Sequence, residues 1–78
     1  MMLNTTPARP TASDAIAYVV AQLAGHDEAA TVCGTIAPGR DSSGIIPGSR
    51  DVLFVMGNDP RPARFTVWYE GDRLYGEW

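Results

Sequence analysis

The stretch Arg64 to Trp78, RFTVWYEGDRLYGEW, constrains the fold more than any other part of the chain. Two alternating runs flank Gly71-Asp72, a strong hairpin signal. With those residues as the loop, Glu70 faces Arg73, Tyr69 faces Leu74, Trp68 faces Tyr75 and Phe65 faces Trp78. Side chains alternate across a strand, so Phe65, Val67, Tyr69, Leu74, Gly76 and Trp78 share one face. Thr66, Trp68, Glu70, Arg73, Tyr75 and Glu77 share the other. The first set reads as a core face. The second places Trp68 beside Tyr75, rimmed by Glu70–Arg73 and Thr66–Glu77, and an aromatic centre with a charged rim is the composition of an interface hot spot. The same aromatic pair also reads as a plain cross-strand contact worth about 0.5–1 kcal/mol to the hairpin. The pattern does not separate these readings, and a one-residue change of loop would exchange the faces.

The preceding chain supplies what such a hairpin packs against. Thr11 is a candidate N-cap, with Asp14 complementing the helix N-terminus. Ala12, Ala15, Ile16, Val19, Val20 and Leu23 follow helical spacing as one apolar stripe, and Gly25 stops the helix. Ala17, Tyr18, Ala21 and Gln22 fall on the back, either an alanine-rich solvent face or a second contact surface centred on Tyr18. Ala30 to Ala37 reads as a strand with Val32, Gly34 and Ile36 on one side and Thr31, Cys33 and Thr35 on the other. A short second helix over Asp27 to Cys33 is the competing assignment. Residues 38–50 contain two Pro-Gly pairs and read as turns in one long loop, with Ile45-Ile46 as an anchor. The run VLFVM after Asp51 predicts a central strand covered on both faces, one by the helix and the other by the long loop or a second subunit. Residues 58–63 form a tight proline-rich link into the hairpin. The expected fold is α+β: one N-terminal helix packed on a three- or four-stranded, mainly antiparallel sheet ending in a C-terminal β-hairpin.

With 78 residues the chain makes one small domain, expected over residues 11–78 behind a flexible arm at 1–10. Such a chain buries only about 60–65% of the surface its unfolded form exposes. Cys33 and His26 are the only residues of their kinds, so neither an internal disulfide nor a typical metal staple is available. Self-association is therefore expected, as a homodimer or higher oligomer. The lone cysteine favours a reducing compartment, and the expected location is cytoplasmic. Arg9 precedes an apolar segment, but Asp14 and Gln22 and a poor cleavage pattern argue against a signal peptide. No stretch reaches the length of a membrane span. Nine acidic against six basic residues, net −3, oppose a general binder of nucleic acid or anionic membrane. All six basic residues are arginines, a pattern that a GC-rich coding sequence explains more simply than carboxylate or phosphate recognition does.

Catalytic chemistry finds little support. A Cys33 nucleophile would have only His26 as base, oriented by Asp27, and TVCGT fits a small buried thiol instead. Ser42 and Ser43 lack a nucleophile elbow, and the carboxylates Asp27, Glu28, Asp51, Asp59, Glu70, Asp72 and Glu77 read as solvated surface acids. No catalytic residue, metal ligand or cofactor is assigned. GRDSSG resembles an anion nest in composition without matching a P-loop. The leading expectation is a non-enzymatic interaction protein working through its aromatic sheet surface, with itself or with another protein. In size, acidity and absence of motifs the chain looks like the small accessory proteins of bacteria and their mobile elements, which leaves inhibitor, immunity and adaptor roles open. The alternative is a small-ligand or anion-binding protein. Its pocket would lie between helix, 38–50 loop and sheet, with Arg40, Arg50 and Tyr18 as polar contacts. Base stacking on Trp68 and Tyr75 is opposed by Glu70 and Glu77, which would repel phosphate.

Overall fold

The computed structural model describes residues 8–26 and 28–78. The arm expected at 1–10 falls, over residues 1–7, outside the described residues. Arg9 and Pro10 are held against the sheet: Arg9 Nε donates to the Ser49 carbonyl at 3.1 Å, and the carbonyl of the buried Pro10 accepts from Arg50 Nε at 2.8 Å. Thr11 is extended, and its Oγ1 accepts the Asp14 N–H at 3.1 Å, which caps helix α1 (Ala12–Leu23). Ala24 closes the helix, and Gly25 follows at the C′ position.

Helix α1 buries Ala15, Val19 and Leu23, with Ile16 and Tyr18 packed at the margins of the core. The buried stripe is thus rotated from the one expected: Tyr18 turns inward, and Val20 is 51% exposed. The cause is an aromatic contact. Tyr18 meets Phe65 edge-on, with ring centroids 6.1 Å apart, and so is the rim of the core instead of the centre of a separate surface on the helix back.

Six strands follow: β1 (Ala30–Ile36), β2 (Gly39–Asp41), β3 (Gly44–Ile46), β4 (Ser49–Met56), β5 (Ala63–Glu70) and β6 (Arg73–Glu77). The main sheet has the order β1-β4-β5-β6 with every neighbouring pair antiparallel, and β2 and β3 form a small sheet of their own. The fold is α+β, with one helix on a four-stranded antiparallel sheet that ends in a hairpin. Hairpin β5–β6 has the register read from the sequence, Glu70↔Arg73, Trp68↔Tyr75 and Thr66↔Glu77. Gly71 takes φ +67° and no non-glycine residue has positive φ, the combination of a type II′ turn with glycine at its first central position.

The core lies between α1 and the inner face of the sheet. Val52 and Phe54 of β4 and Phe65 and Val67 of β5 are buried there with the helix stripe. Gly76 belongs to this face and must be small. A Cβ there would come within 2.6 Å of Phe65 and 3.0 Å of Tyr18. Trp78 stacks on Phe54 at 5.5 Å and tilts against Phe65 at 5.9 Å, yet stays 60% exposed, so it covers the rim of the core and is not buried in it. The exposed His26 meets the Trp78 ring edge-on at 5.3 Å.

Two expectations are corrected here. Strand β1 carries a bulge between Val32 and Gly34. The extra residue changes the side-chain phase, so Val32 pairs with Phe54 over the core whereas Ile36 pairs with Asp51 on the outer face. Cys33 sits at the bulge and is exposed, not a buried strand thiol. The second correction concerns residues 38–50, which are a hairpin and not an irregular loop. The two similar halves of that segment, Pro38-Gly39-Arg40-Asp41 and Pro47-Gly48-Ser49-Arg50-Asp51, lead into β2 and β4 in turn.

Candidate functional site

The outer face of the sheet, opposite α1, is where the functional candidates gather. Strand alternation puts Ser49, Asp51, Leu53 and Val55 of β4 on this face. Arg64, Thr66, Trp68 and Glu70 of β5 and Arg73, Tyr75 and Glu77 of β6 join them. The β2–β3 hairpin lies against part of this face, as expected for whatever covers the second side of the central strand.

A buried carboxylate fixes the hairpin there. Asp51 is 1% exposed, and three donors converge on it. Thr66 Oγ1–H donates to Oδ1 at 2.6 Å, the Arg40 N–H donates to Oδ2 at 3.3 Å, and Arg64 Nε lies 3.3 Å from Oδ2. Thr66 Oγ1 also lies 3.4 Å from the Arg40 carbonyl. Gly39 allows the close approach, because a Cβ on it would come within 2.6 Å of Asp51 Oδ1 and 2.8 Å of Ser49 Oγ. Ser49 Oγ–H in turn donates to the Ile46 carbonyl at 2.6 Å. Reading Asp51 as a solvated surface acid is therefore corrected. The available signal was its position at the head of a run expected to be covered on both faces, where a charge must be paired.

Beside this lock, the hairpin and sheet enclose an open groove of about 280 Å³, lined in part by Arg40, Ser42, Ile46, Arg64 and Glu77. It lies on the opposite side of the sheet from α1, so no pocket joins helix, hairpin and sheet as the ligand-binding alternative required. Arg40, Arg50 and Tyr18 are not brought together. Arg40 lies on the outer hairpin. Arg50 points to the inner side, where its Nη1 donates to Thr35 Oγ1 at 3.2 Å, and Tyr18 packs on Phe65. The nest read in GRDSSG is filled from within: Asp41 Oδ1 accepts both the Ser43 N–H at 2.8 Å and the Ser43 hydroxyl at 2.6 Å. Those two bonds hold the Asp41 carboxyl below its ordinary range.

No family model, curated protein or solved structure matches this chain. The site must be read from its own chemistry.

At the far end of the outer face, Trp68 and Tyr75 are a directly opposed cross-strand pair. Trp68 is half-buried and Tyr75 is 40% exposed. The indole N–H of Trp68 donates to Glu70 Oε2 at 3.0 Å, so its one polar group is satisfied on the face itself. Glu70, Arg73 and Glu77 are exposed around the pair, while Thr66 is buried and serves the Asp51 lock. The sequence-predicted set is thus brought onto one face, with Thr66 as a support beneath it. Exposed arginines and carboxylates are interspersed there, so the face offers no single-signed track for a phosphate backbone. Among the described residues, no three His, Cys, Asp or Glu side chains gather as a metal site would require, and no helix is long and apolar enough to cross a membrane.

Proposed function

We propose that this chain is an interaction protein that works through the outer face of its sheet, in self-association or in capture of another protein. One observation carries the reading: Trp68 and Tyr75 stand side by side on the sheet face that α1 leaves uncovered, with charged residues around them and the indole N–H already satisfied. An aromatic pair of this kind offers large contact area at low conformational-entropy cost, and charged neighbours select orientation more than they add affinity.

Sedimentation of the purified chain across a wide concentration range tests it, with Trp68→Ala as the variant. Trp68 lies outside the buried core, so the variant should keep the far-ultraviolet circular dichroism of the parent. It should associate about tenfold more weakly or worse, the loss expected at a hot-spot aromatic. A variant that unfolds would move Trp68 into the folding core and remove the contact reading. A variant that associates as the parent does would do the same.

A further inference from the structure

We propose that β6 is a self-pairing edge: two copies of the chain join antiparallel along Arg73–Glu77, about a two-fold axis at Tyr75, to make one continuous sheet. This rests on the reading of the outer face as an interaction surface and names the second copy as the occupant of its free border.

Backbone geometry supplies the first argument. In the sheet order β1-β4-β5-β6, the two borders are β1 and β6. The bulge at Cys33 interrupts β1, the usual way in which an edge is blunted. Strand β6 has no bulge and no proline, and it is in register with β5 throughout its length. The two-residue loop makes Glu70 and Arg73 a hydrogen-bonded pair. Along β6 the backbone groups of Arg73, Tyr75 and Glu77 therefore point to β5. Those of Leu74 and Gly76 point out of the sheet, with no strand among the described residues to receive them.

Side-chain chemistry supplies the second argument. Antiparallel pairing centred on Tyr75 sets Arg73 opposite Glu77 of the second copy, and Glu77 opposite its Arg73. It sets Leu74 opposite Gly76, and the outward backbone groups of those two residues are the ones this register joins. Tyr75 meets its own copy as the non-hydrogen-bonded pair, where side chains approach most closely. Every position finds a suitable partner in the same strand reversed, as an isologous interface requires. The aromatic stripe would run unbroken from Trp68 through both tyrosines to the second Trp68.

Charge reversal tests the pairing on the full-length chain, by sedimentation with circular dichroism as the check on folding. Arg73→Glu and Glu77→Arg should each weaken the dimer on the order of tenfold or more, because two favourable cross-strand pairs become repulsive. An equimolar mixture of the two variants should recover the parent's association, since each then opposes its complement. Within one copy Arg73 and Glu77 are about 13 Å apart along the strand, so the recovery can arise only between copies. If Arg73→Glu disturbs folding through Glu70, Arg73→Gln replaces it and should weaken the dimer several-fold. A parent that is monomeric at every concentration overturns the proposal and gives the edge to a different chain. A dimer indifferent to both reversals, or a mixture without recovery, also overturns it. If Trp68→Ala still dissociates that dimer, the outer-face reading survives without the edge.

Discussion

A single buried side chain decides how the outer face is organised. Asp51 is surrounded by one backbone N–H, one hydroxyl and one guanidinium, contributed by β2 and β5. Removing the carboxylate leaves the Arg40 N–H and the Thr66 hydroxyl under the hairpin without a partner and releases Arg64 from its ion pair. Asp51→Ala should therefore lower stability by about 2–4 kcal/mol in a denaturant titration, and Asp51→Asn, which keeps the shape and two acceptor sites, by less. Amide exchange should show β2 and β3 losing protection before the main sheet does. Equal, uniform loss across all strands would mean that the hairpin is not held chiefly by this residue. Local pattern cannot reveal such a lock. Arg40-Asp41 and Arg50-Asp51 are the same dipeptide after the same Pro-Gly step, yet Asp41 is exposed at a turn and Asp51 is buried. Only the tertiary position separates them.

At the scale of elements, the β2–β3 hairpin adds a titrating turn to that lock. Asp41 is held below its ordinary value of 3.8 by the Ser43 hydroxyl and backbone N–H. The folded chain thus binds this proton less readily than the unfolded chain. The contribution to stability is present in full above the ordinary value and disappears as the pH falls through the lowered one. Asp59 behaves likewise, held down by the Arg61 guanidinium and N–H in the β4–β5 link. Carboxyl shifts followed by nuclear magnetic resonance should place both midpoints below those of the same residues in the unfolded chain, and Ser43→Ala should move the Asp41 midpoint back up. An unmoved midpoint would show that the turn bonds do not persist in solution. The elements themselves differed in how legible they were. Hairpin β5–β6 was readable to the residue, because alternation and a two-residue glycine turn fix register locally. Helix α1 was readable in extent, but its buried face was settled by the contact between Tyr18 and Phe65, residues far apart in the chain. Strands β2 and β3 were missed because their three-residue length, GRD and GII, carries no periodicity. The bulge in β1 was missed because a glycine after Cys33 signals permission for irregularity and not its direction.

For the whole molecule the governing fact is size. A chain of 78 residues with one cysteine and one histidine has no covalent or metal staple of the usual kinds, and its core is one layer of side chains between α1 and the inner sheet face. The outer face is only partly covered by the small hairpin, so apolar area at Tyr75 and Ile36 remains accessible. Joining a second sheet at β6 would add paired backbone and cover part of that face at once. Folding and association are then linked by mass action, and the thermal midpoint must depend on protein concentration. For a dimer, each tenfold rise in concentration adds about 0.7 kcal/mol per chain, which for a domain of this size moves the midpoint by roughly 3–5 °C. Arg73→Glu should flatten that dependence and leave the midpoint near the dilute value of the parent, because it breaks association without touching the core. Calorimetry across two decades of concentration measures both. A flat midpoint for the parent would show that α1 and one sheet face suffice to stabilise the chain alone. A slope retained in Arg73→Glu would place the stabilising contact away from the β6 edge.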